Sequence, residues 1–221
     1  MLLVRSLPWP QDTKVRLLEI FPPVPSLVAI SGDRELDLDD THERNAVSAL
    51  AAPLYRDTHP VARLTFTVAD LYPPHHWALR GTPPAFDTPD EDVYLTGRNV
   101  VLLSKAAIHC AQRGITRMAI GTLAGNPFPD ATSDFFTAFA TAVSLGLAHN
   151  LVIDAPFMTM HKSDVIRLGH QLGVPLEQTL SCMNPRAGLH CGECSKCRER
   201  RDAFREAGIE DRTSYQRIPL R

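Results

Sequence analysis

The 221-residue sequence predicts an α/β fold: a mainly parallel sheet covered by helices on both faces, with a metal-binding lobe at the C-terminus. Two observations carry that expectation. Short β-prone runs alternate with helical runs along the chain, which is how parallel strands are joined. Near the end, Cys182, Cys191, Cys194 and Cys197 follow a C-x8-C-x2-C-x2-C spacing. Length suits one substantial core plus a small appendage, so residues 1–180 are expected to form the α/β domain and 181–221 its metal lobe.

Met1 to Arg5 is short, apolar and β-prone, Lys14 to Ile20 is helical in pattern, and Val24 to Ser31 is β-prone again. Together they predict β-α-β. Ser31-Gly32-Asp33 then reads as a turn. Thr41 is a good N-cap, Glu43 lies in the first turn, and Val47, Leu50, Ala51 and Leu54 recur at helical spacing. Ala62 to Val68 alternates as a strand does. The stretch Pro73 to Asp92, with His75, His76, five prolines and no sustained period, is expected to be a loop or lid.

Asn99 to Cys110 is helical by pattern, with Cys110 a small core residue. Met118 to Gly121 is a short strand ending in glycine. Ser133 to Leu147 is a long helix whose Phe135, Phe136 and Phe139 are expected to pack inward. Leu151 to Ile153 is a further strand and Lys162 to Leu172 a further helix. In such sheets ligands gather at the carboxyl ends of the strands.

A formal charge of −2 gives no global attraction to nucleic acid or anionic lipid. No run approaches the roughly 18 apolar residues of a membrane span, and the first residues carry no secretion signal. A soluble, cytoplasmic protein is therefore expected. Nine histidines form no HExxH pair. The four C-terminal cysteines can all reach one soft cation. Zinc held by four sulfurs keeps no open position for chemistry, so its role there would be structural. A C-x2-C-x2-C run also occurs in iron–sulfur sites, which leaves that alternative open, and the expected compartment disfavours disulfides.

The stretch from Ser181 to Phe204, SCMNPRAGLHCGECSKCRERRDAF, resembles the 7-cyano-7-deazaguanine synthases of the queuosine pathway. Upstream, Tyr94 to Ser104 (YLTGRNVVLLS) resembles that family's Gly-Arg-Asn helix start. Phe128-Pro129-Asp130 resembles its Tyr-Pro-Asp turn, and HKSDVIRLGHQLGVP around Lys162 its penultimate helix. The matches run in family order through the second half of the chain. What the resemblance implies is an adenine-nucleotide α-hydrolase-like fold, ATP and Mg2+ as well as zinc, a 7-deazaguanine-type small-molecule partner, and a homodimer. The implied reaction is ATP-dependent conversion of 7-carboxy-7-deazaguanine to its nitrile through an acyl-adenylate and an amide, or ligation of the activated acid to another acceptor.

On the resemblance, Arg98, Asp130 and Lys162 are the catalytic candidates, and Ser6, Asp12, Thr13, Gly97, Asn99 and Gly121 the nucleotide-binding ones. Each also has a plainer reading. Arg98 is a fork donor for carboxylate or phosphate, or a surface ion pair. Asn99 could cap its helix. Asp130 suits Mg2+ or a substrate N–H, or a turn. Lys162 suits phosphate, or an exposed helix start. Arg198, Arg200 and Arg201 read as a solvated helix face.

Two departures from the family stand out. Its Ser-Gly-Gly-x-Asp-Ser loop lets backbone N–H groups converge on phosphate, but residues 6–13 here read SLPWPQDT. Both glycines are missing and two prolines each remove a donor. Gly125-Asn126-Pro127 and Ala131-Thr132 also differ from the family's usual substrate segment. A non-catalytic paralogue that keeps the metal lobe and a nucleobase pocket is therefore the alternative to an enzyme. A zinc-ribbon nucleic-acid binder is disfavoured by the charge balance.

Overall fold

The computed structural model describes residues 28–33, 62–67, 70–80 and 82–217. The expected first strand, the helices of residues 14–20 and 41–54, and the candidates Ser6, Asp12 and Thr13 lie outside the described residues. Strand β1 (Val28–Asp33) pairs in parallel with β2 (Ala62–Thr67), Val28 opposite Ala62 and Asp33 opposite Thr67. The expected turn at Ser31–Asp33 is corrected: all three residues belong to β1, facing Thr65, Phe66 and Thr67. Gly-Asp is turn chemistry only where the chain reverses, and here backbone pairing overrides the local signal.

A short helix α1 (Trp77–Arg80) and a 3-10 turn (Asp90–Val93) break up what the sequence suggested was a loop or lid. Helix α2 follows (Arg98–Ala111), then β3 (Arg117–Ala119), a 3-10 turn (Pro129–Ala131), α3 (Ser133–Leu147) and β4 (Val152–Asp154). β3 and β4 pair in parallel, Met118 opposite Ile153, with α3 as the connecting helix. This is the β-α-β unit that the alternating pattern foretold. Thr132 starts α3 by accepting the Phe135 N–H at 3.2 Å, as an N-cap hydroxyl does.

The core of this unit is one apolar cluster of Ala106, Ala107, Cys110, Ile115, Met118 and Leu151, flanked by Val143, Leu147 and Ile153. Cys110 is a core residue, as expected. Of the three phenylalanines of α3 only Phe136 is buried; Phe135 and Phe139 are half-buried and rest on one another, ring centroids 5.4 Å apart. That corrects the expectation of three inward rings. Residues three and four apart share a face, but 135 and 136 point about 100° apart and cannot both aim at the centre.

Helices α4 (Lys162–Gln171) and α5 (Ser195–Ala207) pack together around Ile166, Leu172, Val174, Leu176, Ala203 and Phe204. Asp164 fixes the start of α4, its Oδ2 accepting the His161 N–H at 2.9 Å, and Arg167 reaches from α4 to the Glu206 carbonyl of α5 at 2.6 Å. Gly208, in the left-handed region at φ 70°, ends α5. Among the described residues no helix is long and apolar enough to cross a membrane.

Candidate functional site

The carboxyl ends of β3 and β4 open into two loops, residues 120–128 and 155–161. They are tied together by the Ala124 N–H donating to the Met160 carbonyl at 2.9 Å. Gly121 leaves β3 here, and the loop runs on to Phe128 and Asp130. The start of α2 is joined to the same place. Asp130 Oδ2 accepts the Asn99 N–H at 2.9 Å, while the Asn99 side-chain amide donates to the Asp130 carbonyl at 2.9 Å. Asp130 thus supplies the cap of α2 from 31 residues away, and a carboxylate at a helix N-terminus also meets the favourable end of its dipole.

Asn99 is not the cap that the sequence suggested. It is buried inside the first turn, and Gly97, at φ 74° with no side chain to offer, occupies the N-cap. Arg98, between them, is exposed and close enough to Asp130 that both act on the half-buried Tyr72. Burial pushes the Tyr72 hydroxyl up, with Arg98 opposing. That hydroxyl donates to the Thr96 carbonyl at 3.1 Å, and Tyr94 stacks on Phe128 with centroids 4.8 Å apart. One guanidinium, one carboxylate and a pair of stacked rings therefore gather at the start of α2, beside Gly97. Planar rings beside a fork donor suit a flat acid.

Lys162 belongs to a second group. As the first residue of α4 it pairs with Glu199 of α5 at 2.5 Å, and Lys196 reaches the other oxygen of Glu199 at 2.6 Å. All three side chains are about three-quarters buried. Burial pushes the Glu199 carboxyl up, but the two ammonium groups overcome that and hold it at about 2. At Lys162 burial dominates instead and moves the ammonium down despite Glu199. Two lysines on one carboxylate leave an excess of positive charge at the helix start.

The four cysteines converge as the spacing foretold. Their sulfurs all lie within 4.8 Å of one another, with Cys194 and Cys197 at 3.5 Å and Cys191 and Cys197 at 3.9 Å. Tetrahedral zinc with bonds of about 2.3 Å would set sulfurs about 3.8 Å apart, so the four residues fit the ion. Backbone N–H groups of Asn184 and Cys191 point at the Cys182 sulfur, and that of Glu193 at Cys191, as thiolate ligands require. The neighbouring sulfurs, Cys182 first, draw the Cys191 thiol below its ordinary range. Gly192 sits at φ 80° against the tail: a Cβ there would lie 1.5 Å from the Arg217 carbonyl oxygen. Only glycine fits.

The arginines that follow the last cysteine are corrected most sharply. Arg200 is 3% exposed rather than solvated. Its guanidinium donates to Thr213 Oγ1 at 2.8 Å, Thr179 Oγ1 at 2.8 Å, Ser181 Oγ at 3.1 Å and the Leu176 carbonyl at 2.6 Å, and it lies over the Phe204 ring. Asp211 stands 3.9 Å away. Arg198 donates to the carbonyls of Phe86 and Thr88 at 2.7 and 2.9 Å, and Arg201 lies over the Phe86 ring. With Ala85 bridged to Cys194, these contacts moor residues 85–88 to the cysteine lobe, which leaves that part of the expected lid closed down on protein.

Residues 85–208, more than half of the chain, match the family model described as Queuosine biosynthesis protein QueC. The matched stretch contains the α2 start, Asp130, Lys162 and all four cysteines. The chain belongs to the QueC family. Relatives named 7-cyano-7-deazaguanine synthase include those of Anaeromyxobacter dehalogenans, 39% identical over 129 residues, and Methanoculleus marisnigri, 42% identical over 130 residues. These alignments cover 55% and 56% of this chain, so it spans about half the length of either relative, 55% and 57%. The synthase of Methanopyrus kandleri is 32% identical over 186 residues, 78% of this chain and 80% of that protein.

Within the QueC frame, the structure brings Arg98, Asn99, Asp130 and Gly97 together and places Lys162 with the cysteine lobe's helix. Sequence reasoning overlooked Tyr72 and Glu199, gave Tyr94 no role of its own, and took Arg200 for a solvated residue. Tyr94 and Phe128 are the first residues of two recognised motifs, a signal that was readable. Glu199, four residues before a buried alanine, carries none.

Proposed function

We propose that this QueC-family chain is an ATP-dependent 7-cyano-7-deazaguanine synthase, converting 7-carboxy-7-deazaguanine to its nitrile. The observation that carries the proposal is the family match over residues 85–208, which contains both the strand-edge group and the cysteine lobe. A carboxylate is a poor electrophile. Transfer of AMP from ATP to its oxygen, with pyrophosphate leaving, creates a leaving group that ammonia displaces to give the amide. A second transfer of AMP, now to the amide oxygen and again with pyrophosphate leaving, lets that oxygen depart with AMP as the nitrogen loses both protons, which leaves the nitrile.

In this reading the chain's own residues position and neutralise. Arg98 grips the acid's carboxylate as a fork donor. The Tyr94–Phe128 pair provides a flat apolar face for the heterocycle. Lys162, held by Glu199, offers positive charge to phosphate at the start of α4, where the helix dipole adds to it. Asp130 fixes Arg98 by fixing the helix from which it projects. Magnesium would arrive with the nucleotide and offset phosphate charge, with Asp130 the acidic side chain at this edge. Zinc, if that is the ion on Cys182, Cys191, Cys194 and Cys197, holds the lobe and takes no part in bond making. A soluble homodimer belongs to the same proposal.

The test is AMP and nitrile formation by zinc-replete protein given ATP, Mg2+, ammonia and 7-carboxy-7-deazaguanine. Both products are expected, with Arg98→Ala lowering kcat/KM at least 100-fold, about 2.7 kcal/mol. Binding of the deazaguanine without any AMP formation would mark the chain as a non-catalytic paralogue.

A further inference from the structure

Thr122 follows Gly121 in the loop that leaves the carboxyl end of β3, and it is 7% exposed. Among the described residues its hydroxyl has no hydrogen-bond partner. Burying a hydroxyl unpaired is costly, and buried side-chain polar groups are nearly always satisfied. Such an orphan invites an explanation from outside the chain. His109 Nε2, Gln178 Oε1, Ser195 Oγ and Arg201 Nη1 share the condition. They belong to α2, to a 3-10 turn (Leu176–Gln178) and to α5, however, whereas Thr122 stands in a loop at a strand's carboxyl end, where ligands of parallel sheets collect.

The surroundings of Thr122 narrow the ligand. Two residues on, the Ala124 N–H binds the Met160 carbonyl and fixes this loop to the one after β4. Six residues on, Phe128 stacks on Tyr94 beside Arg98, and Asp130 holds the start of α2. The loop that carries the unpaired hydroxyl is thus the one that builds the flat, guanidinium-edged surface. A planar heterocycle bearing N–H and C=O groups could satisfy a hydroxyl that both donates and accepts.

We infer that Thr122 is a specificity-determining contact, its hydroxyl hydrogen-bonding the polar edge of the bound deazaguanine acid rather than the nucleotide. This rests on the synthase reading above. Thr122→Val keeps shape and removes the hydroxyl, and Thr122→Ser keeps the hydroxyl. Isothermal titration of each zinc-replete protein with 7-carboxy-7-deazaguanine, and separately with ATP and Mg2+, is read beside thermal melting. The expected result is acid affinity about 3- to 10-fold weaker in the valine variant, rescued by serine, with ATP binding unchanged. The melting temperature of the valine variant should equal or exceed that of the wild type, since an unpaired buried hydroxyl has gone.

Wild-type acid affinity in the valine variant overturns this inference alone. So does a fall in its melting temperature without a change in acid binding, which would reveal an internal partner. An effect confined to ATP assigns the hydroxyl to the nucleotide and also overturns it. A wild-type protein that binds neither ligand overturns the synthase reading, and this inference with it.

Discussion

The cysteine lobe and the β3–β4 edge are held by opposite means. In the lobe, polar groups are gathered inside: four sulfurs spaced for one ion, a guanidinium with four acceptors, and a glycine with no room for a methyl group. At the edge it comes from ordinary apolar packing beneath, and the polar groups above are few, with Arg98 open to solvent. The lobe shares only a small apolar cluster with α4, and a buried arginine and four sulfurs placed to hold a metal add to it. The edge, resting on a full core, is free to present groups to a ligand.

Removing the metal should give the largest difference between the two regions. Structural zinc sites in small folds contribute about 10–16 kcal/mol of apparent binding free energy. Chelation, or Cys197→Ser, is expected to unfold the lobe while β3, β4 and α3 keep their protection. Hydrogen exchange read by mass spectrometry measures both regions at once, and equal loss in both would erase the contrast.

Arg200→Met comes next. It leaves Thr179, Thr213 and the Leu176 carbonyl buried without their donor, at a cost of about 3–5 kcal/mol, the range for breaking a buried ionic network. Urea unfolding measures the change. A pair of glycines makes the third comparison. Gly192→Ala drives a methyl group into the Arg217 backbone and is expected to cost about 3 kcal/mol or more. Gly97→Ala meets no atom within 4 Å and should cost only the left-handed backbone penalty, about 1–2 kcal/mol.

The effect most easily dialled is a proton. Burial, followed by Arg200, lowers His190 to about 4, and its Nε2 accepts the Ser181 N–H at 3.1 Å, which requires the neutral ring. The unfolded chain takes up a proton near pH 6.5, the folded lobe only near 4. Stability should therefore fall as pH drops through that window, by about 1.4 kcal/mol per unit, and be flat in this respect above it. His190→Asn should reduce that slope in urea titrations at matched zinc loading.

Local rhythm made much of the fold legible. The helix Ser133–Leu147 begins and ends where the pattern put it, and α2, α4, β3 and β4 lie within two residues of expectation, because periodicity and caps are short-range signals. The cysteine site was readable for the same reason. Arg200 was not. A run of charges looks solvated unless its acceptors are known, and those come from residues 176, 179, 181 and 213. Asp130 capping α2 is likewise a pairing across 31 residues that no window of sequence contains. Ser31–Asp33 failed in the other direction: its turn composition is real, but a parallel partner strand outweighs it.

The bridge between Ala85 and Cys194, with Arg198 gripping Phe86 and Thr88, brings the stretch matched by the family model back to near its own beginning. The leading residues of that stretch are therefore anchored through its trailing helix, so release of the cysteine lobe would also let go of residues 85–88.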